Sequence, residues 1–499
     1  METELPKKSF LSEVVSFGFV QVILQLRSII VLPFLARFLG TSGFGYLSAL
    51  YALVGIIQMI SLLGINTAMT VFIPGQPPEN RRKDFWNILH ITVTFALILV
   101  ILLYILYPWI KKWFLPHDIT PSIYLAGLMI IPTNMLQLIL FAQMRNNHDG
   151  NAYSVIISII SFFEIPIVIL STLWWGILGN LFSTAFMVFL QCIFMLYVIQ
   201  NKDTYEKPDI AYFPNLKQYY IYGATMSITG LAAWIVDSSD RLLIGKYLSI
   251  DELGIYQVAY NLCTRLNQIG VPFFSPLMPF VAAAINQNQH AEASKYFQQT
   301  FKMLLIIFSP LVLLLSLCSN DIIVILSTKD FLPGAKIVPM IAIGIALWNI
   351  GGVNEYNIYV HNKTKYIIFS MICGAVINII INVLFIPYLR LTAAGLSTMI
   401  SYLVIFLMNW GFAQKTFRIN YDYYFVGQTF LGLIGMSFCI LTVQFFSKDL
   451  NPIVRLCLSA TIGGCVFFVV LYRLRAIKQE EIRQIKTVLK NYLPKSNHQ

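Results

Sequence analysis

The sequence predicts an all-α polytopic membrane protein of about fourteen transmembrane helices, with two six-helix lobes around a central cavity and two extra helices. Three observations predict it. Hydrophobic residues make up 57% of the chain and charged residues 11%, with mean hydropathy +0.71, outside the range of water-soluble domains. Apolar runs recur with little polar sequence between them, each near the ~20 residues that cross a hydrocarbon core of ~30 Å. The two halves also repeat one another. Helices are the spanning form, because lipid leaves the backbone groups of open strands unsatisfied.

The runs place spans near 14–38, 43–70, 86–110, 122–144, 152–174, 176–200 and 218–246 in the first part of the chain. They continue at 253–285, 300–319, 333–360, 365–387, 392–413, 424–446 and 452–473. Basic residues mark the connections. Arg81-Arg82-Lys83 precede span three, Lys111-Lys112 follow it, and Arg145 follows span four. Lys202 and Lys207 follow span six, Lys246 closes span seven, and Lys295 precedes span nine. Lys329 and Lys336 surround the start of span ten, and Lys363 and Lys365 separate it from span eleven. Arg390 separates spans eleven and twelve, Lys415 and Arg418 follow twelve, and Lys448 follows thirteen.

Most of the 34 Lys and Arg fall on the side that holds Lys7, Lys8, Arg81–Lys83, Arg145, Lys202, Lys363 and the tail. The positive-inside rule then puts both termini in the cytoplasm, which requires an even number of spans. The net charge of +11 is topology and gives no nucleic-acid surface. METELPKKS lacks a basic region, short apolar core and cleavage site, so the first span is expected to be retained. Seven cysteines, all within or at the ends of spans, read as small apolar residues. The expected organisation is an N-terminal lobe 1–200, a cytoplasmic linker 201–217, a C-terminal lobe 218–413, spans thirteen and fourteen in 414–473, and an amphipathic cytoplasmic tail 474–499. The basic residues of that tail suit a helix on an anionic leaflet as well as one packed on the protein.

Repetition shows in residues at constant spacing. Arg37-Phe38-Leu39 meets Lys246-Tyr247-Leu248, Gly45 meets Gly254, and Tyr51 meets Tyr260, all at 209. His148 meets His361 and Tyr153 meets Tyr366 at 213, and Ser183-Thr184 meets Ser397-Thr398 at 214. Two parallel six-span repeats around a cavity suit alternating access.

Polar residues inside spans carry the functional argument. Arg27, Glu164, Asp237, Asp240, Arg241 and Arg265 lie within them. Facing lipid, six such charges would cost on the order of 18 kcal/mol at roughly 2.5–3.5 each, so they must pair or meet water. On span eight Gln257, Asn261, Thr264, Arg265 and Gln268 recur on one helical face, a stripe that suits either a wet cavity or a polar seam between helices. Arg27 sits mid-span in the first helix, on the far side from Gln21 and Gln25. Span seven gathers Asp237, Asp240 and Arg241; Asp237 and Arg241 suit an i,i+4 ion pair, and the acids also suit a coupling-ion site. Glu164, two residues before Pro166, suits a proton or sodium site or a buried helix contact. Asn378 and Asn382 share a face of span eleven and suit helix-to-helix bonding.

Enzymatic chemistry finds no support. The chain has no G-x-x-x-x-G-K-[ST] phosphate loop, no H-E-x-x-H and no G-x-S-x-G elbow, and nothing asks for a metal or cofactor.

The run Pro33-Phe34-Leu35-Ala36-Arg37-Phe38-Leu39-Gly40, with Gly43-Phe44-Gly45-Tyr46 and Gly64, resembles the opening of the polysaccharide (Wzx-type) flippases of the multidrug, oligosaccharidyl-lipid and polysaccharide exporter superfamily. Asp240-Arg241-Leu242-Leu243-Ile244-Gly245-Lys246 with Gly254-Ile255-Tyr256 and Ala259-Tyr260 resembles the same family's seventh-to-eighth span junction. Asn378, Asn382, Ile386-Pro387 and Ala393-Ala394-Gly395 resemble its eleventh-to-twelfth junction, although a glycine is expected earlier there. The resemblance implies a MATE-like fold in a bacterial inner membrane. It implies a flippase carrying undecaprenyl-diphosphate-linked oligosaccharide to the outer leaflet, the anionic head held by Arg27 and Arg265 beside Asn261, Gln257 and Gln268. An ion-coupled return through Glu164, Asp237 or Asp240 would use H+ or Na+. A polysaccharide polymerase and a chain-length regulator are the partners it implies, with membrane lipids around the chain. A lipid II flippase follows the same charge logic, whereas a cation-coupled multidrug exporter wants an acidic cavity. A membrane glycosyltransferase or polymerase wants an outward catalytic loop, and a membrane scaffold has no use for intramembrane charge.

Overall fold

The computed structural model describes residues 10–115, 118–147, 149–201 and 216–476, without the side chains of 10–29, 113, 114, 216 and 275. Lys7, Lys8, His148, most of the 201–217 linker and the tail from 477 onward lie outside the described residues, as does the side chain of Arg27.

The elements are helices throughout. They run α1 (Phe10–Leu62), α2 (Ile65–Phe72), α3 (Pro78–Ile105), α4 (Tyr107–Phe114), α5 (Pro121–Leu128), α6 (Ile130–Asn146), α7 (Gly150–Gln200) and α8 (Leu216–Tyr247). After them come α9 (Ile250–Asn286), α10 (His290–Leu317), α11 (Ser319–Leu326), a 3-10 segment Lys329–Lys336, α12 (Val338–Val360), α13 (Lys365–Leu389), α14 (Leu391–Thr416), α15 (Tyr423–Phe446) and α16 (Pro452–Arg473). The expected spans all fall on these helices, and no strand occurs among the described residues.

Among the described residues ten helices are long and apolar enough to cross a membrane, or eleven when Lys329–Lys336 and Val338–Val360, bent by 55°, count as one span. Two of these helices each carry two expected spans joined at a kink. α7 has 51 residues, or about 77 Å at 1.5 Å each, more than twice a hydrocarbon core. It leaves helical geometry at Gly176 (φ 58°, ψ −135°), between expected spans five and six. α1 does the same at Gly40 (φ 63°, ψ −171°), between spans one and two. These are left-handed or mirror conformations that glycine enters without a Cβ penalty. α8 carries Asp237, Asp240 and Arg241 and is not among the ten.

One compact unit gathers Arg27–Val258 and Ala375–Ala394; a second gathers Met1–Leu26, Ala259–Gly374 and Gly395–Gln499. In the first, α2 packs on α6 and α8, and α6 packs on α3 and α7. The length of α1 beyond Gly40 and the turn that follows it run beside α8 through small residues: Gly55 meets Trp234, Gly230 meets Met59, and Gly64 in the turn meets Gly223. Small residues let apolar helices approach where lipid supplies no hydrophobic drive.

In the second unit α10 packs on α12 and α15, and α16 packs on α15 and α11. Cys318, Ile322, Phe425, Met436, Ile440, Phe467 and Leu471 form the core beneath the last two helices. Asp321, buried, accepts from both ends of the Arg455 guanidinium and from Gln444 Nε2 (2.8 Å). The carboxylate thus ties α11 to α15 and α16, and its three donors satisfy a charge that burial would otherwise make costly.

The junction of α13 and α14 corrects the local expectation. No glycine supplies the turn; Arg390 does, at φ 53°, spaced 214 residues from Gly176, whose φ is likewise positive at 58°. Its Nε and Nη2 reach Glu252 Oε1 and Oε2 at 2.9 and 2.6 Å. Arg390→Gly and Arg390→Ala both lose that pair, but glycine escapes a left-handed cost of about 1 kcal/mol. The glycine variant is therefore expected to melt above the alanine variant in detergent, and the reverse order would deny the strain at this residue.

Candidate functional site

Two helix starts that the repeat makes equivalent meet face to face. A Cβ on Gly45 would overlap the Ile250 carbonyl oxygen and stand 2.8 Å from Ile250 Cγ1. A Cβ on Gly254 would overlap the Thr41 carbonyl oxygen and stand 3.0 Å from Gly45 N. Gly254 follows Gly45 by the same 209 residues that separate Ile250 from Thr41, so the contact is reciprocal. A contact in which i meets j and j meets i is the mark of a two-fold axis. Ser48 and Gln257, again 209 apart, extend it: the Ser48 hydroxyl donates to Gln257 Oε1 at 2.7 Å. At the rim, Thr41 Oγ1 donates to Asp251 Oδ1 at 2.5 Å.

The charged cluster of α8 is built on this crossing. Arg241 Nε donates to the same Gln257 Oε1 at 2.7 Å, and Arg241 Nη1 donates to the Asp237 carbonyl at 2.7 Å. Asp240 is fully buried; it accepts from the Arg241 amide (2.7 Å) through Oδ1 and from the Tyr256 hydroxyl through Oδ2. The structure therefore brings Asp240, Arg241 and Gln257 together, with Asp237 half-buried on the same helix. Ser239, also on α8, donates to Asn378 Oδ1 at 3.0 Å, and Asn382 Nδ2 donates to that same oxygen at 3.0 Å. Asn378 thus bonds α13 to α8, and Asn382 holds its carboxamide oxygen from within α13.

Further along α9, in the second unit, Asn261, Thr264, Arg265 and Gln268 are all half-buried. Tyr260, Cys263 and Leu266 between them are buried. The polar stripe thus occupies the less enclosed side of its helix. Asn267 next to it bonds α12, accepting from Asn349 Nδ2 at 2.8 Å. A guanidinium among carboxamides and hydroxyls offers the donors that an anionic oxygen cluster wants.

Glu164 stands on the enclosed side of α7, 2% exposed, in line with Ser161, Val168, Ser171 and Thr172. Phe162 and Phe163 on the opposite side are 71% and 56% exposed. The acid faces protein and the aromatics take the lipid side, as burial cost demands. Glu164 is not brought to the α8 cluster in any bond described here.

Sequence reading passed over Ser48 and Thr41, whose roles need a partner from the other repeat, and over the bond of Tyr256 to Asp240 on the neighbouring helix. The spacing of 209 was the signal that could have paired Ser48 with Gln257. It also passed over Glu355, an acid on α12.

The polysaccharide biosynthesis protein family matches residues 10–285, and the MatE family matches residues 226–384. An uncharacterised membrane protein of Methanocaldococcus jannaschii is 21% identical over 281 residues, 54% of this chain and 53% of its own length. Lipid II flippase MurJ of Bacillus subtilis is 22% identical over 322 residues, 56% of this chain and 57% of its own. The chain spans about half the length of these curated relatives. Among solved structures, lipid II flippase MurJ in an inward closed conformation superposes with a TM-score of 0.74 at 16% identity, over 93% of this chain and 99% of that one. An inward-facing multidrug resistance MATE family transporter of the MOP superfamily gives 0.63 at 14% identity, over 82% and 99%. At these identities the likeness shows the fold alone. With residues 10–285 matched, more than half its length, the chain belongs to the polysaccharide biosynthesis protein family.

Proposed function

We propose that this chain is a flippase that carries undecaprenyl-diphosphate-linked oligosaccharide, a precursor of cell-surface polysaccharide, from the cytoplasmic to the outer leaflet of a bacterial inner membrane. Membership in a polysaccharide biosynthesis family supports the cargo class, and the likeness of fold to a lipid II flippase supports lipid-linked transport. The observation that carries the reading is the half-buried polar face of α9 with Arg265 at its middle. A diphosphate needs cationic donors within a membrane, and an acidic drug site would not place arginine there. Arg27, on α1, is the second cation of the proposed site. Asn261 and Gln268 supply further donors, and Gln257, with Arg241 and Ser48 on its carboxamide oxygen, borders it.

In this reading the Gly45–Gly254 crossing closes the side that the basic connections assign to the outside. Alternating access parts it. An inside-negative potential favours outward movement of the head by ~2.3 kcal/mol per charge per 100 mV. Coupling through Glu164, Asp237 or Asp240 by H+ or Na+ would reset the empty carrier.

Lipid II remains the rival cargo, since lipid II flippase MurJ shares both sequence likeness and fold. Purified chain in proteoliposomes separates the two. Undecaprenyl-diphosphate oligosaccharide is expected to become accessible in the opposite leaflet, with lipid II left behind. Movement of lipid II alone would replace the cargo, and movement of neither would remove the reading.

A further inference from the structure

Glu355 is a carboxylate inside an apolar helix with nothing to hold it. It lies on α12, five residues before the helix ends at Val360, or about 7 Å along the axis at 1.5 Å per residue. Among the described residues it makes no hydrogen bond and no ion pair. It shares the less enclosed side of α12 with Trp348, Gly352, Tyr356 and Tyr359, while Asn354 and Asn357 beside it are fully buried.

The two buried carboxamides beside it are each anchored through one polar atom, while their other polar atoms, Asn354 Nδ2 and Asn357 Oδ1, find no partner among the described residues. Tyr421 donates to Asn354 Oδ1 at 2.7 Å, and Asn357 Nδ2 donates to the Phe417 carbonyl at 2.8 Å. Phe274 of α9 stacks on Tyr356 at 5.1 Å between centroids and closes over Gly352. Charged or titratable groups of the same unit on the elements packed against α12 are Tyr260, Cys263 and Arg265 on α9, His290, Lys295 and Lys302 on α10, Tyr402 and Lys415 on α14, and Tyr421 beyond it. None of them bonds to Glu355. Glu292 and Tyr296 of α10 bond each other, at 3.2 Å. Lys329, Asp330 and Lys336 belong to the opposite end of α12.

An acid kept for packing would be paired, and one kept for solubility would lie on a loop. A lone carboxyl on a partly open helix face is stable there when it can change charge with its surroundings. We propose that Glu355 is a proton-exchanging group of the transport cycle. As a carboxylate it takes one proton from water while its face is open, and the neutral carboxyl stays when that face closes on apolar neighbours. Reopening to water at higher pH returns the proton and restores the carboxylate. This rests on the reading of the chain as a transporter, and it adds a titrating residue separate from Glu164 and the α8 acids.

The test uses the full chain in proteoliposomes with undecaprenyl-diphosphate oligosaccharide and an imposed pH difference. One pH unit changes the accumulation of a cargo coupled to one proton by about tenfold. The wild type is expected to respond to the gradient, Glu355→Gln to move cargo without responding, and Glu355→Asp to respond again. An infrared difference spectrum between acid and alkaline pH reads the same residue without cargo. It should contain a carboxyl C=O band that Glu355→Gln removes. A glutamine variant that keeps the gradient response, a wild type that lacks one, or a band that persists in the variant would overturn the proposal. Cargo that never moves, with the band lost as expected, would instead count against the flippase reading and leave the titration of Glu355 in place.

Discussion

Arg265→Ala is expected to lower translocation of a diphosphate-linked lipid by about 30- to 150-fold, the cost of one charge-assisted contact of roughly 2–3 kcal/mol. Arg265 is half-buried on the polar side of α9, so its replacement leaves the buried side of that helix, Tyr260, Cys263 and Leu266, unchanged. Protein should reach the membrane at its normal level, while surface polysaccharide disappears. Arg265→Lys keeps the charge without the planar fork that matches phosphate oxygens, and an intermediate rate is expected. Blotting of membranes beside polymer staining in cells that carry only the variant checks both halves. Normal polymer with Arg265→Ala would take this residue out of the site.

Gly254→Ala is expected to be as damaging by another route. Its methyl group would overlap the Thr41 carbonyl oxygen and stand 2.8 Å from the Thr41 carbonyl carbon. The obstacle is backbone, which no rotamer change can move aside. Overpacking of this kind costs about 1–3 kcal/mol, and the upper end applies where two helix starts are in direct contact. If the crossing seals the outer side, the alanine variant leaks or stalls, and translocation driven by a gradient falls at least about tenfold. Gly45→Ala should behave alike, since Gly45 meets Ile250 in the same manner. Gly427→Ala is the matched control, because nothing lies within 4 Å of a Cβ there. Equal activity and equal melting temperature for Gly254→Ala and Gly427→Ala would deny the crossing any closing role.

Much of this fold was legible because lipid imposes a simple demand on composition, and the helices obey it. Two breaks were legible as well: expected spans end at 38 and 174 and resume at 43 and 176, and the chain leaves helical geometry at Gly40 and Gly176. Arg390 was opaque. An arginine gives no sign of a left-handed backbone, and its tie to Glu252 138 residues away is invisible along the chain.

The site was partly legible. Periodicity put Asn261, Thr264, Arg265 and Gln268 on one side of a helix, and their burial agrees with a shared face. It could not foresee that Gln257 is engaged by Arg241 and Ser48, since those bonds depend on a helix crossing. Glu355 was lost among Asn354, Tyr356 and Asn357, where a polar run near a helix end looks like the approach to a loop.

Two repeats joined in one chain are free to differ where they touch. In a pair of identical copies any substitution at such a contact strikes both sides at once, so only self-compatible side chains fit there. Within one chain the two sides vary separately: the short hydroxyl of Ser48 answers the long carboxamide of Gln257, and that carboxamide also engages Arg241.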